Sequence, residues 1–297
     1  MTSAALVIGA SGSIGSRIRD HLEGEGWRVF SVGRQQPSTD NQLAWDLVFS
    51  NEVPALRQVG LLVNCASPNR EWASKNPLDF ISWMKRHGRS LSRLREFCGS
   101  PLAYSMSTVH VYGDHQVGII DEESTLQGQH PYARGHLALE REIISNGWQV
   151  MRLSNTFGIA GKFGRLDMSA VTNDLTEQIA RTGAAEVLAD KAAVRDFLPI
   201  QTLMRLFSQA ILARETREVT NICSGRSVSI HNWRDFLYAV SKEGINGGAA
   251  FPKSNDSLAA KYSSLLGPIS IGDLTQDSKI EIDSLLSHFR SKHGRSL

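Results

Sequence analysis

Short apolar runs alternate with amphipathic stretches along the first hundred residues. Ala5–Ile8 reads as a buried strand, Ser13–Glu25 as a helix, Trp27–Val32 as a second strand and Gly60–Asn64 as another. Strands that are apolar throughout must be covered on both faces, which is the condition of a parallel sheet flanked by helices. The pattern predicts an α/β, doubly wound parallel sheet. After about residue 160 the texture changes. The glycine-rich run Gly158–Gly164 is followed by helical patterns at Leu203–Arg214 and Ser229–Glu243, a short strand at Val219–Ile222, and a tail from Gly247 with two weak helical patterns. The expected layout is an N-terminal domain over 1–160 and a smaller mixed domain over 161–297, with parts around 195–222 returning to the first.

Composition narrows the class. Lys and Arg number 32 and Asp and Glu 30, a formal charge of +2, with 41% hydrophobic and 21% charged residues over 297 positions. Those values fit a soluble globular protein and exclude a disordered one. A near-balanced, well-mixed charge argues against nucleic acid or a membrane surface as partner. Cys65, Cys98 and Cys223 are too widely spaced for a disulfide framework or a CxxC metal site, and read as free thiols. No apolar run approaches the roughly 18 residues of a membrane span. The first strand pattern begins at Ala4 with no charged, cleavable leader before it, so a cytoplasmic protein is expected.

Candidate chemistry begins at Gly9-Ala-Ser11-Gly12-Ser13-Ile14-Gly15, between the first strand and first helix. Gly9 allows a tight turn, Gly12 leaves room for a phosphate against the backbone, and Gly15 lets the helix pack close. The helix N-terminus then offers free N–H groups to a pyrophosphate. The spacing is GxxGxxG, not the GxGxxG of the dinucleotide fingerprint, and an ordinary strand–helix turn is the alternative. Arg34, at the end of the second strand, suits the 2′-phosphate of NADP, where NAD would call for an acidic residue; a solvated strand-end arginine is the alternative. Asp46 either presents a carboxylate to adenine or starts a helix.

Two later segments carry hydroxyls and rings. Tyr104–Gly113 is a strand running into a loop with Ser107, Thr108 and His110, and Pro131–Glu140 is a helix with Tyr132 and His136 one turn apart on one face. Together with Asn64-Cys65-Ala66-Ser67, Arg152–Gly158, Arg195–Leu198 and Asn221–Gly225, these segments resemble the extended short-chain dehydrogenase/reductases. That group includes nucleotide-sugar epimerases, 4,6-dehydratases and 4-ketoreductases.

The resemblance covers nearly the whole chain and implies a Rossmann sheet with a C-terminal substrate domain. For the cofactor, NADP with NAD as the other choice, it implies Gly9, Ser11, Gly12, Ser13, Ile14, Gly15, Arg34, Asp46, Leu47, Cys65, Ala66, Ser67, Tyr132, His136 and Leu153. It implies Tyr132 as catalytic acid or base and Thr108 beside the reacting oxygen. Ser107, Thr108, Asn155 and Arg195 fall on the substrate side, with Arg195 either on a nucleotide-sugar diphosphate or in a structural ion pair. The family's lysine, four residues after the tyrosine, is His136 here, and a neutral imidazole supplies no charge. The Asp-Glu pair of the dehydratases is Val109-His110, which argues against dehydration; His110 is either a proton donor or base, or a loop histidine. No metal site is expected, since His87, His115 and His130 lack ligand spacing.

The leading expectation is an NADP(H)-dependent reductase, or epimerase/reductase, of a nucleotide-activated sugar. The others are a dinucleotide-binding regulatory or partner protein of weakened catalysis, and an enzyme on a non-sugar carbonyl. A homodimer is expected through a two-helix face, with Leu137, Leu139 and Ile143 as contacts or as core.

Overall fold

The structure is a computed structural model; it describes residues 4–33, 42–44, 59–113, 118–214, 217–254, 260–262 and 266–294. Its centre is a parallel sheet built from β1 (Ala4–Ile8), β2 (Arg28–Gly33), β3 (Gln42–Ala44), β4 (Leu61–Asn64), β5 (Leu102–Thr108), β7 (Gln149–Leu153) and β10 (Val219–Ile222). The spatial order is β3-β2-β1-β4-β5-β7-β10, every neighbouring pair parallel. Ile8, the last residue of β1, pairs with both Val32 and Asn64. The strand order reverses at β1, so a crevice opens at the C-terminal ends of β1 and β4, where open α/β sheets bind ligands.

Alternate strand residues point to opposite faces, and this divides the core into two layers. On one side Ala5, Val7, Leu61, Val63, Met106 and Met151 pack with α1 (Ser13–Gly24) and α6 (Ile200–Leu212). On the other, Leu6, Ile8, Leu62 and Val150 meet Phe80, Met84, Leu91 and Leu94 of α3 (Pro77–Phe97) and Leu139 and Ile143 of α4 (Pro131–Ile144). Leu139 and Ile143 are thus core, not contact residues of a dimer face. Leu137 packs against Val109, Val111, Tyr112 and Ile120 of β6 (Gly118–Ile120).

Beyond the sheet lies a third core. It gathers β8 (Asn155–Phe157), α5 (Val171–Thr182), β9 (Val194–Pro199), β11 (Ser227–Ser229), α7 (Ile230–Glu243) and α8 (Ile271–Lys292) around Trp233, whose ring stacks on Phe197 at 4.2 Å. β9 joins β8 in parallel and β11 in antiparallel pairing, and β12 (Ala260–Tyr262) pairs with β6. The tail, which reads as two weak helical patterns, contains one 22-residue helix among the described residues. Its buried positions include Asp277, which accepts from Thr202 (2.6 Å) and Arg205 (2.9 Å), and Glu281, which accepts from Arg17 (2.9 Å). Polar residues satisfied inside the protein break the apolar stripe on which a sequence reading depends.

The three cysteines are free thiols. Among the described residues, no helix is long and apolar enough to cross a membrane, and no group of His, Cys, Asp and Glu is arranged to hold a metal.

Candidate active site

The glycine loop follows β1 directly into the crevice. Gly9 has φ +81°, and a Cβ there would lie 2.7 Å from the Ala66 nitrogen, in the turn after β4. A Cβ on Gly15 would lie 2.2 Å from the Gly9 carbonyl oxygen, so only glycine lets α1 start this close to the strand. Gly12 is the helix N-cap and offers no side-chain cap, and α1 has no acidic residue in its first turn. Around a Cβ placed on Gly12 the only neighbour is the Gly9 oxygen, at 3.4 Å. The first-turn amides of Ser13, Ile14 and Gly15 are left without intrahelical acceptors beside open space, which fits an anionic pyrophosphate. Arg34, Asp46 and Leu47 lie outside the described residues.

The run Gly158–Gly164 does more than mark a boundary. Gly161 donates its N–H to Ser16 Oγ (2.9 Å), Lys162 to Asp20 Oδ2 (2.5 Å), and Arg165 to the Ser11 carbonyl (2.9 Å); Arg19 donates to the Lys162 carbonyl. A Cβ on Gly164 would fall 2.0 Å from Ser16 Oγ. A segment 145 residues away thus buttresses the glycine loop. The regular spacing Gly158-x-x-Gly161-x-x-Gly164 was its signal in the sequence.

The turn after β4 is fixed from below. Asn64 Oδ1 accepts from His87 Nε2 (2.9 Å) and from the Ala66 N–H (3.2 Å), while Asn64 Nδ2 donates to Ser105 Oγ (2.9 Å). His87 stacks on Trp83 at 4.7 Å, and burial, reinforced by His136, lowers its pKa to about 3, so it is a neutral Nε2–H donor. Burial also pushes the Cys65 thiol up to about 12, which leaves it unreactive. Ser67 lies at the exposed outer end of the turn.

Thr108 ends β5, and its Oγ1 accepts the His110 N–H (3.3 Å), opening a single 3-10 turn over Val109–Tyr112. α4 begins with Pro131, and His130 caps it: Nδ1 accepts the Tyr132 N–H at 3.1 Å. The capping histidine carried no role in the sequence, because histidine is not among the usual capping residues. Gly135 brings α4 against α3, since a Cβ there would enter the Phe80 ring at 2.2 Å.

Three predicted residues therefore meet. The rings of Tyr132 and His136 are 4.5 Å apart, those of His110 and Tyr132 are 6.4 Å apart, and Phe80 stacks on Tyr132 at 5.8 Å. Burial, with the Asp167 carboxylate adding to it and Arg70 opposing, pushes the Tyr132 hydroxyl up to about 12. Burial, helped by His110, pulls His136 down to about 3. Arg134 is exposed, so α4 offers no other cation inside the cluster.

Behind His136 runs a buried polar chain. His136 Nδ1 lies 3.5 Å from Ser107 Oγ, which donates to Glu140 Oε1 (2.5 Å). Glu140 accepts from Arg152 through Nε (3.3 Å) and Nη2 (2.8 Å), and Arg152 Nη1 donates to Tyr112 Oη (2.9 Å), which donates to Asn221 Oδ1 (2.7 Å). Glu140 and Arg152 escaped sequence reasoning as a pair. Their signal was an acid one turn beyond His136 and an arginine inside the otherwise apolar β7.

On the substrate side, Asn155 Nδ2 donates to the Asp196 carbonyl (3.2 Å). The Asp196 carboxylate accepts from the backbone of Ser224, Gly225 and Arg226 and so shapes the turn after β10. Arg195 is partly exposed and donates to the Val194 carbonyl (2.8 Å); among the described residues it forms no ion pair. The Leu153 side chain is in the core of the sheet.

The glycine loop, through Gly9 against Ala66, and the Tyr132–His136 pair, through His136 against Ser67, thus meet at the turn after β4, and residues 5–223 match the NAD dependent epimerase/dehydratase family. The chain belongs to that family. No curated protein sequence matches it. Among solved structures it resembles TunA, described as an NAD-dependent NDP-hexosamine 5,6-dehydratase of tunicamycin biosynthesis (22% identity, 98% of each chain, TM-score 0.76). It also resembles the UDP-glucose 4-epimerase of Thermotoga maritima solved with UDP-glucose (19% identity, 97% of this chain and 99% of that one, TM-score 0.74). A third is RMD of Pseudomonas aeruginosa complexed with NADPH (22% identity, 98% and 99%, TM-score 0.72). At these identities the likeness is one of fold. Within the epimerase/dehydratase family, then, this chain combines a tyrosine of raised pKa with a neutral histidine where a lysine is expected.

Proposed function

We propose that the protein is an NADP(H)-dependent reductase, or epimerase/reductase, of a nucleotide-activated keto sugar. The observation that carries this reading is Tyr132, held protonated to about 12 beside a neutral His136. A ketone that gains a hydride must also gain a proton on its oxygen, and a protonated tyrosine supplies it from Oη. The reverse direction needs tyrosinate. With a pKa near 12 only about one molecule in 10⁵ is ionised at pH 7, an uphill step of about 7 kcal/mol. The site is therefore biased towards reduction.

In this reading the backbone of Gly9, Ser11, Gly12, Ser13, Ile14 and Gly15 holds the pyrophosphate, and Cys65, Ala66 and Ser67 flank it. Arg34 takes the 2′-phosphate, and Asp46 and Leu47 the adenine. When bound there, the reduced dinucleotide supplies a hydride. Thr108 donates its hydroxyl to the substrate oxygen and orients it towards Tyr132, while Ser107, Asn155 and Arg195 face the sugar nucleotide. His110, whose ring lies 6.4 Å from that of Tyr132, serves as a further proton donor or as the base for epimerisation. The NADPH complex of RMD and the UDP-glucose complex of the Thermotoga enzyme support the cofactor and substrate classes. The reading also places the protein in the cytoplasm as a homodimer, with 1–160 as the dinucleotide domain and 161–297 as the substrate domain.

The same neutral His136 favours a second reading, a dinucleotide-binding regulatory or partner protein with weakened catalysis. The two separate when purified protein is mixed with NADPH and a panel of nucleotide 4-ketosugars while NADPH absorbance is followed. Turnover that Tyr132→Phe abolishes supports the reductase. NADPH binding without turnover, unaltered by Tyr132→Phe or His136→Lys, supports the second reading. An affinity for NAD tighter than for NADP and indifferent to Arg34→Ala would overturn the cofactor assignment.

A further inference from the structure

We propose that Ser107 and Glu140 are positioning residues that hold His136 as its neutral Nδ1–H tautomer, turning Nε2 towards the crevice as a hydrogen-bond acceptor. A lysine at this position donates hydrogen bonds and carries charge. Here the polarity of the contact is reversed and the charge is gone. The reading of the crevice as a dinucleotide site identifies the ligand, but the tautomer rests on the protein alone.

The argument is one of counting protons. Glu140 is buried, and both its oxygens accept from the Arg152 guanidinium. A carboxylate so paired has no proton to give, so Ser107, 2.5 Å from Oε1, must be the donor in that contact. A serine hydroxyl has a single proton. Ser107 can therefore offer His136 Nδ1, 3.5 Å away, only a lone pair, and Nδ1 must carry the hydrogen. With the imidazole only 2% exposed, two protons on it would leave a charge buried without a carboxylate partner in contact. Nε2 is then a lone pair.

What Nε2 faces is the turn after β4. Ser67 Oγ lies 3.3 Å from Nε2 and 2.9 Å from the Pro68 carbonyl, and its one proton can serve either acceptor. With the hydroxyl turned to Pro68, Nε2 keeps its lone pair, and a donor such as a ribose hydroxyl of a nicotinamide dinucleotide reaches it when the exposed Ser67 side chain gives way. The neighbouring charges do not favour a second proton on the ring. His110, on the 3-10 turn, opposes it, while Arg152 sits beyond Glu140 with its charge already matched.

Nitrogen resonances of the full chain labelled with ¹⁵N-histidine test this directly, with His136 assigned by its absence in His136→Gln. At pH 7 the expected pattern is a protonated Nδ1 and an unprotonated Nε2. Ser107→Ala should redistribute the tautomer, and its NADPH affinity should fall about tenfold or less, the range of one lost hydrogen bond. Saturating NADPH should move the Nε2 resonance of the wild-type protein. A protonated Nε2 or an imidazolium at pH 7 would overturn the proposal, as would a tautomer unchanged in Ser107→Ala or an Nε2 resonance unmoved by bound NADPH. Failure of NADPH to bind at all would instead sink the dinucleotide reading, while the tautomer measured on the free protein would still stand or fall by itself.

Discussion

Tyr132 and His136 meet edge-on, ring centroids 4.5 Å apart and planes at 63°, and neither ring is charged at neutral pH. The family arrangement places a cation beside the tyrosine, which lowers its pKa and makes it a usable base. Here burial, with Asp167 adding to it and Arg70 only partly opposing, acts in the opposite direction. Because Tyr132 loses its proton only near pH 12, reduction of a keto sugar should show no tyrosine-dependent decline between pH 7 and 10. Oxidation of the corresponding alcohol should rise about tenfold per pH unit over the same interval, since the tyrosinate fraction does. Steady-state rates in both directions check this, and Tyr132→Phe should lower reduction by about 10²- to 10⁴-fold.

The two buried histidines make the protein sensitive to acid. His87 and His136 are held neutral to about pH 3, whereas in the unfolded chain each binds a proton near 6.5. Below that pH the unfolded state carries more protons, so stability is complete above about 6.5 and lost as pH falls towards 3. Each histidine contributes a slope of about 1.4 kcal/mol per pH unit. Urea unfolding between pH 7 and 4 should show this loss, and His87→Gln should remove about half of it.

Glu140 and Arg152 form an ion pair in which both side chains are buried. Removing the acid alone leaves an uncompensated guanidinium in the interior, so Glu140→Ala should cost about 3–5 kcal/mol in chemical denaturation. The double variant Glu140→Leu/Arg152→Met should cost less than the sum of the single changes, because no unpaired charge remains.

The buttress on the glycine loop predicts a rescue. Gly164→Ala would drive its methyl into Ser16, separating the 161–165 segment from α1 and from the Ser11 carbonyl. Dinucleotide affinity should fall about tenfold or more. Ser16→Gly removes both side-chain atoms that crowd the new methyl, and adding it should restore part of the loss; equilibrium binding of NADPH to the single and double variants decides.

The His130 cap ties Tyr132 to the start of α4. His130→Ala should destabilise the protein by about 1 kcal/mol, the usual value of an N-cap. Because the loosened turn carries the hydroxyl proposed as the proton donor, kcat should fall more than KM changes, and kinetics of the intact, folded variant measure it.

The chain by itself determined the sheet and the two places where chemistry gathers on it. Apolar runs such as Ala5–Ile8 admit few environments other than a doubly covered parallel sheet, and glycines at 12 and 15 are constrained by the backbone of Gly9 and Ala10, close by in the chain. The helical spacing of Tyr132 and His136 likewise follows from local geometry. What only the tertiary structure decided is the chemistry those residues can perform. The spacing of Tyr132 and His136 does not say that Phe80 packs on both rings and that Ser107 lies behind His136, a setting whose burial sends one pKa up and the other down. Nor does a glycine-rich run at 158–164 show that it folds back onto a helix 145 residues earlier. Burial and long-range hydrogen bonding belong to the assembled fold, because they depend on which segments exclude solvent together, and sequence spacing carries no record of that.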